Sequence, residues 1–245
     1  MGFKKVVKKS LSDSVFEQLR DEIVSGRMEP GEALPAERGL SETLGVNRGA
    51  VREALKRLEQ ARLISIQQGG STRVLDYTRT AGTDLLTALL IDPEGRVNTR
   101  VARSVMEMRS EMAADIARLA ARRRRDDHLA LLDGLLGQMH AQRADLVALQ
   151  DLGMEFWTEM VQAADNVAYQ LAVNSLRESY GLFKRLLLNV LSEELADLEG
   201  YRAVVDAVRA QDEPEAEYAT RELLGIGQGR IDEALTALEA TQGEE

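Results

Sequence analysis

Residues 35–57, PAERGLSETLGVNRGAVREALKR, predict a helix, a tight turn and a second helix, and this arrangement decides the fold of the amino-terminal region. The first helix is predicted over Glu37–Leu44, with Pro35 supplying a suitable φ near its start. Gly45 supplies the left-handed backbone that ends many helices. Asn47 then stands where the N-cap of the second helix belongs, because its side chain can accept from the first free N–H groups.

The second helix separates apolar residues from basic ones. Four apolar side chains recur at spacings of three and four and are predicted to face the core: Val51, Ala54, Leu55 and Leu58. The exposed side is predicted to carry the basic residues: Arg48, Arg52, Lys56 and Arg57. A basic face also occurs on helices that meet only solvent. Here the small residues Gly49 and Ala50 follow Arg48 at the end that a helix-turn-helix inserts into the major groove, which favours a DNA-reading helix.

A β-hairpin is predicted directly after these helices. Leu63–Gln67 and Thr72–Leu75 are β-prone runs, and the glycine-containing residues 68–71 between them suit a hairpin turn. Upstream, a further helix is predicted from about Ser10 to Gly26. Three helices followed by a hairpin predict a winged helix, whose glycine-rich wing tip would let the backbone approach DNA.

These segments resemble the GntR superfamily of bacterial transcription regulators. The matching residues keep the family's register through Gly26–Gly31, Leu34–Arg38, Arg48, Val51–Leu55 and Arg57–Leu58. The resemblance implies a mainly α protein, in which a winged helix-turn-helix with a small β-hairpin wing precedes an all-α helical bundle that binds an effector.

The resemblance also implies a homodimer that reads a pseudo-twofold operator in double-stranded DNA. The residues expected to contact bases or phosphates are Arg38, Asn47, Arg48, Gly49, Ala50 and Arg52, with Gln68, Gly69 and Gly70 in the wing. FadR-like proteins carry a basic residue where this chain has Gly70, and hydroxyl residues where it has Asn47, Gly49 and Ala50. We therefore expect a different operator.

Composition limits the classes of protein that the chain can represent. The net charge of −10 is uneven, because residues 1–78 carry 13 basic and 11 acidic residues while residues 79–245 carry 18 and 30. The chain has no cysteine and only two histidines, and no nucleophile–base pair is visible, so we do not expect an enzyme. Without an apolar run of about 18 residues or a signal peptide, we expect a soluble cytoplasmic protein with no membrane partner. Four lysines near the start are predicted to form a flexible arm near DNA phosphates: Lys4, Lys5, Lys8 and Lys9.

The sequence predicts three regions. Residues 1–78 form the DNA-binding domain, residues 79–97 a linker with a short helix, and residues 98–245 an all-helical domain for effector binding and dimerisation. The helices of the last domain are predicted at about 98–124, 127–142, 144–164, 167–190, 192–210 and 214–239.

A larger branch of the superfamily carries a metal site made of one Asp and three His in this helical domain. Its pattern, placed on this sequence, puts Gly153, Trp157, Tyr201 and Leu223 at the four ligand positions. The histidines of the chain, His128 and His140, are twelve residues apart on a predicted helix and too distant to share an ion. We therefore expect neither a metal nor another cofactor.

A smaller, FadR-like branch also lacks these histidines and responds to long-chain acyl-CoA. Segments that resemble this branch include the wing and Asn166–Tyr180. The expected effector-binding residues are Arg109, Trp157, Tyr180, Leu187, Leu223 and Gly225, with Arg109 facing the polar head or thioester. Each also has a purely structural interpretation, with Trp157 and Leu223 as core residues and Arg109 in a buried salt bridge.

Two further interpretations stay open at this stage. In one, the chain is a regulator of the metal-type branch that has lost its metal and senses a small carboxylate or sugar acid. Alternatively, it binds DNA without any effector, with the helical domain serving only to dimerise. Under the favoured interpretation, a lipid effector controls DNA binding and the regulator acts on lipid or fatty-acid metabolism.

Overall fold

The computed structural model describes residues 10–67, 71–92 and 95–242, and the chain divides into two compact units, residues 1–97 and 98–245. In the described residues, the first unit combines helices with a small two-stranded antiparallel sheet, and the regular secondary structure of the second unit is helical only. The predicted fold class is confirmed. Within the described residues, no helix is both long and apolar enough to cross a lipid bilayer.

Three helices build the amino-terminal core: α1 spans Leu11–Val24, α2 spans Glu37–Leu44 and α3 spans Arg48–Gln60. Each boundary has a local cause. Ser10 begins α1 with a capping box, Gly45 ends α2 at φ 65°, and Asn47 caps α3. The core between the helices consists of buried apolar side chains that include Val15, Leu19, Ile23, Leu40, Val51, Leu55 and Leu58.

The wing is shorter than the sequence predicted. Strand β1 spans Ile64–Ser65 and pairs antiparallel with β2, which spans Arg73–Val74. Leu63 still bonds through its N–H to the carbonyl of Leu58 in α3, so the chain leaves the helix only just before the strand begins. The turn before α2 extends the sheet on the other side, where Ala33 forms a β-bridge with Arg73.

The segment after the wing packs on the amino-terminal core. It contains α4 over Tyr77–Thr80, a 3₁₀ turn over Thr83–Leu85 and α5 over Leu86–Leu89. Leu85 is buried in this core, and Tyr77, Ala81, Ala88 and Leu89 pack against it. Most of the segment predicted as a linker therefore belongs structurally to the first unit.

Seven helices form the carboxy-terminal unit: α6 over Thr99–Arg123, α7 over Asp126–Ala141, α8 over Leu146–Ala163, α9 over Val167–Val190, α10 over Ser192–Ala196, α11 over Leu198–Ala210 and α12 over Glu213–Gln242. Asn98, Asp145 and Asn166 cap α6, α8 and α9 with their side chains. Helix α6 lies at the centre and contacts α8, α11 and α12. Its buried face is rich in alanine, which lets the neighbouring helices approach closely.

The prediction of one helix over residues 192–210 is wrong. The chain bends at Asp197, where ψ is 69°, and the Asp197 side chain accepts a hydrogen bond from the N–H of Gly200 at 3.1 Å. An aspartate that caps a new helix competes with continuation of the previous one. The bend turns α10 towards α8 and α12, which brings Glu194 into the centre of the bundle.

Candidate DNA-binding surface and effector site

The start of α3 presents Arg48 to solvent. Its side chain is exposed and makes no ion pair with any residue that the structure describes. Asn47 caps the helix by accepting from the N–H of Ala50 at 2.9 Å, as predicted. Gly49 is also exposed, and a Cβ there would lie 3.1 Å from the Asn47 side-chain oxygen, so a larger residue would crowd the cap. Arg48 is therefore free to meet DNA at a well-ordered helix end.

Ala50 does not belong to this exposed group. It is only 8% exposed, so its methyl group faces the core, and its place among the DNA-contacting residues stays a prediction that rests on close approach of the backbone. The third residue of this helix lies at the edge between the solvent and core faces, and periodicity alone does not decide its side.

Arg52 is exposed but already paired. Its Nε donates to Oε1 of Glu37 at 3.2 Å, and its Nη2 donates to Oε2 at 3.0 Å. This bidentate pair joins α3 to the start of α2. The hydrogen bonds from Arg52 hold the pKa of Glu37 below its usual value, and the same carboxylate raises the pKa of Arg52. The pair thus stays ionised at neutral pH.

Arg38 lies on α2, where Glu42 is 3.6 Å away one helical turn later. Both side chains are largely exposed, so this is a weak, solvent-screened contact. Arg38 stays available to DNA.

Arg57 was predicted to lie on the exposed basic face, but in the structure its side chain packs between helices. Its guanidinium lies 4.3 Å from the centre of the Phe16 ring, and Nη1 donates to Asp13 at 2.6 Å. These contacts join α3 to α1. Asp13 also accepts from Ser10, whose hydrogen bond lowers the pKa of that carboxyl more than Arg57 does.

The wing tip and the amino-terminal lysines lie outside the described residues. This applies to Gln68, Gly69 and Gly70, and to the arm residues Lys4, Lys5, Lys8 and Lys9. At the base of the wing, Arg73 donates through Nη1 to the carbonyl of Gly31 at 2.7 Å, which ties the hairpin to the turn before α2.

The four positions of the family's metal pattern come together in the second unit. A Cβ at Gly153 would lie 3.2 Å from the Tyr201 hydroxyl, which fills the space that a side chain at 153 would need. The Phe156 ring stands perpendicular to both the Trp157 ring, at 5.4 Å, and the Tyr201 ring, at 4.9 Å. Leu223 is buried beside Gly200. Aromatic and aliphatic side chains therefore occupy this region.

Among the described residues, no group of three or more Asp, Glu or His side chains is placed to hold a metal ion. His128 on α7 is buried and has its Nδ1 2.6 Å from Glu159 on α8, while His140 is exposed. The two histidines thus have separate surroundings.

Arg109 forms a buried salt bridge with Glu194. Its Nη1 donates to Oε2 at 3.2 Å, and its Nη2 donates to Oε1. Glu194 is 1% exposed and the Arg109 side chain 21%. Burial lowers the pKa of Arg109, but the charge and hydrogen bonds of Glu194 raise it more, so the guanidinium stays ionised. The structural interpretation of Arg109 is the one that the geometry supports.

Glu194 was not found by sequence reasoning. It lies near the start of the segment predicted as one continuous helix, and no local pattern marks it as the partner of a residue 85 positions earlier. Gly227 makes room for it, because a Cβ at that position would overlap Oε2 of Glu194. This requirement shows why a glycine stands inside α12.

Uncharged polar groups surround this ion pair. Tyr201 is fully buried, and burial raises the pKa of its hydroxyl. Burial likewise raises the pKa of Tyr180, although hydrogen bonding to Gln150 and the charge of Arg109 oppose it. The indole Nε1 of Trp157 is buried, and the Tyr201 hydroxyl is the acceptor beside it, whose pKa the indole N–H lowers.

The other expected effector residues divide between core and surface. Leu223 is buried and Leu187 is half-buried. Gly225 is exposed, with nothing within 4 Å of a Cβ built on it, so its place in an effector pocket stays a prediction that this geometry does not support. Two residues along a helix are about 200° apart, so Gly225 faces away from the side on which Gly227 meets Glu194.

Comparison with known proteins agrees with both units. Residues 11–74 match the family described as bacterial regulatory proteins, gntR family, and residues 104–225 match the FCD domain. The chain is 36% identical over 226 residues to the HTH-type transcriptional regulator Mce2R of Mycobacterium tuberculosis, covering 92% of this chain and 93% of that protein.

Two more distant relatives differ in what their names say they regulate. The galactonate operon transcriptional repressor of Escherichia coli is 27% identical, over 91% of this chain and 97% of that protein. The fatty acid metabolism regulator protein of Klebsiella pneumoniae is 31% identical, over 69% of this chain and 68% of that protein.

A solved structure shares the fold. It is described as Lar, which controls expression of the Listeria monocytogenes agr system, and it aligns with a TM-score of 0.57 and 17% identity over 93% of this chain and 99% of that chain.

Proposed function

This chain belongs to the GntR family of bacterial regulatory proteins, and from that premise we propose that it binds its operator as a homodimer and that a long-chain acyl-CoA or similar lipid resets its affinity for DNA. That it is a GntR-type transcription regulator with an FCD effector domain follows from the family. The operator contacts, the dimer and the lipid are the proposal.

The observation that carries the DNA-binding part is Arg48 at the capped start of α3, whose side chain is exposed and forms no ion pair with any described residue. An arginine at that end of a recognition helix can donate two hydrogen bonds to guanine O6 and N7. Arg38 and Arg52 stand exposed nearby on α2 and α3, and the wing residues Gln68–Gly70 would extend the contact. Two copies related by a twofold axis would read two half-sites.

The charge balance around Arg109 supports an acyl thioester over a free acid. Glu194 already neutralises the guanidinium, so a ligand carboxylate would have to displace a buried carboxylate that makes two hydrogen bonds. Tyr201, which interacts with both charges of this pair, packs with Phe156 and Trp157 and adds aromatic surface without a further charge. A carbonyl acceptor attached to a long apolar chain fits these groups.

A ligand titration tests the lipid. The full-length protein would be bound to a labelled operator recovered by selection from a randomised duplex library, and acyl-CoAs of increasing chain length would then be added. We expect DNA release at concentrations that fall as the chain lengthens, because each added CH₂ contributes roughly 0.8 kcal/mol when buried. Free CoA and the matching free fatty acids are the controls.

A sugar acid is the second candidate effector, and the similarity to the galactonate operon repressor over most of the chain favours it. Release of DNA by galactonate or a related acid, with no response to acyl-CoA, would establish this alternative. A regulator that needs no effector would show neither DNA release nor a thermal shift with any of these ligands.

A further inference from the structure

Glu37 is the residue whose position the DNA-binding role leaves unexplained. It is a carboxylate at the start of α2, and the DNA-facing arginine Arg52 lies against it. A negative charge near a phosphate backbone weakens binding to any DNA sequence. A carboxylate in this place therefore needs a compensating role if the surface reads DNA.

The geometry of the pair indicates that role. A guanidinium has five N–H donors. Glu37 accepts from Nε and from one Nη2 hydrogen, at 3.2 and 3.0 Å, which occupies the side edge of the group. Among the described residues, Arg52 makes no further hydrogen bond through its end edge, which is formed by Nη1 and the second Nη2 hydrogen. That edge is itself a two-donor fork of the kind that fits O6 and N7 of guanine.

The pair also restricts Arg52. The Arg52 side chain is 62% exposed and would otherwise sample many rotamers and several neighbouring phosphates. Glu37 lies on a different helix, fifteen residues earlier, so the two contacts fix the guanidinium relative to the whole helix-turn-helix and not merely to α3. Binding then costs less ordering of this side chain.

We infer that Glu37 is a positioning residue that determines specificity. It holds Arg52 so that the end edge of the guanidinium reads a guanine in the operator. The same contact disfavours binding of Arg52 to phosphates of any DNA sequence. This inference rests on the proposed operator-binding function. It assigns Arg52 to a guanine base. The exposed Arg38, whose contact with Glu42 at 3.6 Å is weak, is then expected to bind the phosphate backbone of the DNA.

Three variants distinguish the effect of the Glu37–Arg52 contact geometry from the effect of the negative charge on Glu37. Glu37→Gln removes the charge and keeps the length, and Glu37→Asp keeps the charge but is too short for both contacts. Glu53→Gln is the matched control, because Glu53 is an exposed glutamate beside Arg52 on α3 and makes no ion pair among the described residues. Thermal unfolding of each full-length variant shows whether it is folded.

The measurement is the ratio of affinities for a selected operator and for a shuffled duplex, with the operator recovered by the wild-type protein from a randomised library. We expect Glu37→Gln and Glu37→Asp to lower this ratio roughly tenfold, since a bidentate base contact contributes on this scale. Glu53→Gln should strengthen binding to both duplexes alike and keep the ratio. Repeating the selection with Glu37→Gln should yield an operator in which one guanine is no longer required.

Two outcomes would overturn the inference, and they are distinguishable. If both Glu37 variants keep the wild-type ratio within twofold, Glu37 does not determine specificity, although the protein remains a sequence-specific regulator. If the wild-type protein enriches no sequence at all, the proposed operator binding fails and the inference fails with it.

Discussion

The two units of the molecule each contain an arginine that pairs with a glutamate through two hydrogen bonds, and the pairs differ in their access to water. Arg52 and Glu37 lie on the surface of the amino-terminal unit, while Arg109 and Glu194 lie inside the helical bundle. The exposed pair contributes little to stability, because solvent screens both side chains. The buried pair fixes the structure around it, because Glu194 is 1% exposed and would be a buried charge without a partner if Arg109 were lost.

The largest expected effect comes from breaking the buried pair. Replacing Glu194 with leucine should lower the free energy of unfolding by about 3–5 kcal/mol, since Arg109 would stay buried without a counter-charge. The double variant Arg109→Met with Glu194→Leu should recover most of that loss. Urea denaturation followed by circular dichroism measures both. The exposed pair of Arg230 and Glu193 provides the control, and Glu193→Gln should change stability by less than about 1 kcal/mol.

The next effect concerns binding and not stability. Arg48→Ala should weaken operator binding by about 1–3 kcal/mol, or roughly tenfold to a hundredfold, because it removes an exposed base-reading arginine. Fluorescence anisotropy with the selected operator measures the loss, and the melting temperature should stay unchanged. Specific binding of wild-type strength would show that Arg48 is not a reading residue.

A pair of glycines on α12 tests the space around Glu194. Gly227→Ala should destabilise the protein by about 1–3 kcal/mol, because its Cβ would overlap Glu194. Gly225→Ala should instead stabilise it by up to about 1 kcal/mol, since that glycine is exposed inside a helix and alanine is the better helix former. Equal shifts in both variants would contradict the assigned contact.

The smallest effect is the pH dependence of the exposed pair. The pKa of Glu37 is lowered from 4.5 by the Arg52 hydrogen bond, so the pair stabilises the fold above that pH and loses its contribution as pH falls through the lower, folded-state value. Because both groups are exposed, we expect less than about 1 kcal/mol. The free energies of unfolding of the wild-type protein and of Glu37→Gln, measured as a function of pH, should therefore differ slightly at neutral pH and become equal in acid.

Local signals in the sequence predicted the amino-terminal unit well. Gly45 and Asn47 act within a few residues of their own position, and the structure places a left-handed C-cap and an N-cap there. The helical bundle was also predictable as a set of periodic segments. The break at Asp197 was missed, because an aspartate inside an amphipathic segment can cap a new helix or face solvent with nearly the same local sequence.

The partners of the functional side chains could not be predicted from the sequence. Arg52 meets Glu37 across fifteen residues and Arg109 meets Glu194 across 85, so neither pair has a fixed spacing that a motif could capture. The orientation of Ala50 and of Gly225 could not be predicted for a related reason. Each lies within two residues of a position that faces the other way, and only packing decides which neighbour is buried.

The close fit of Glu194 against Gly227 restricts the order in which this bundle can change during evolution. A side chain at position 227 meets the buried carboxylate, so enlarging residue 227 costs stability unless Glu194 is shortened or removed. Losing Glu194 in turn leaves Arg109 without its counter-charge. Arg109, Glu194 and Gly227, on α6, α10 and α12, are thus coupled, and a change at one of them alters the cost of a change at the others.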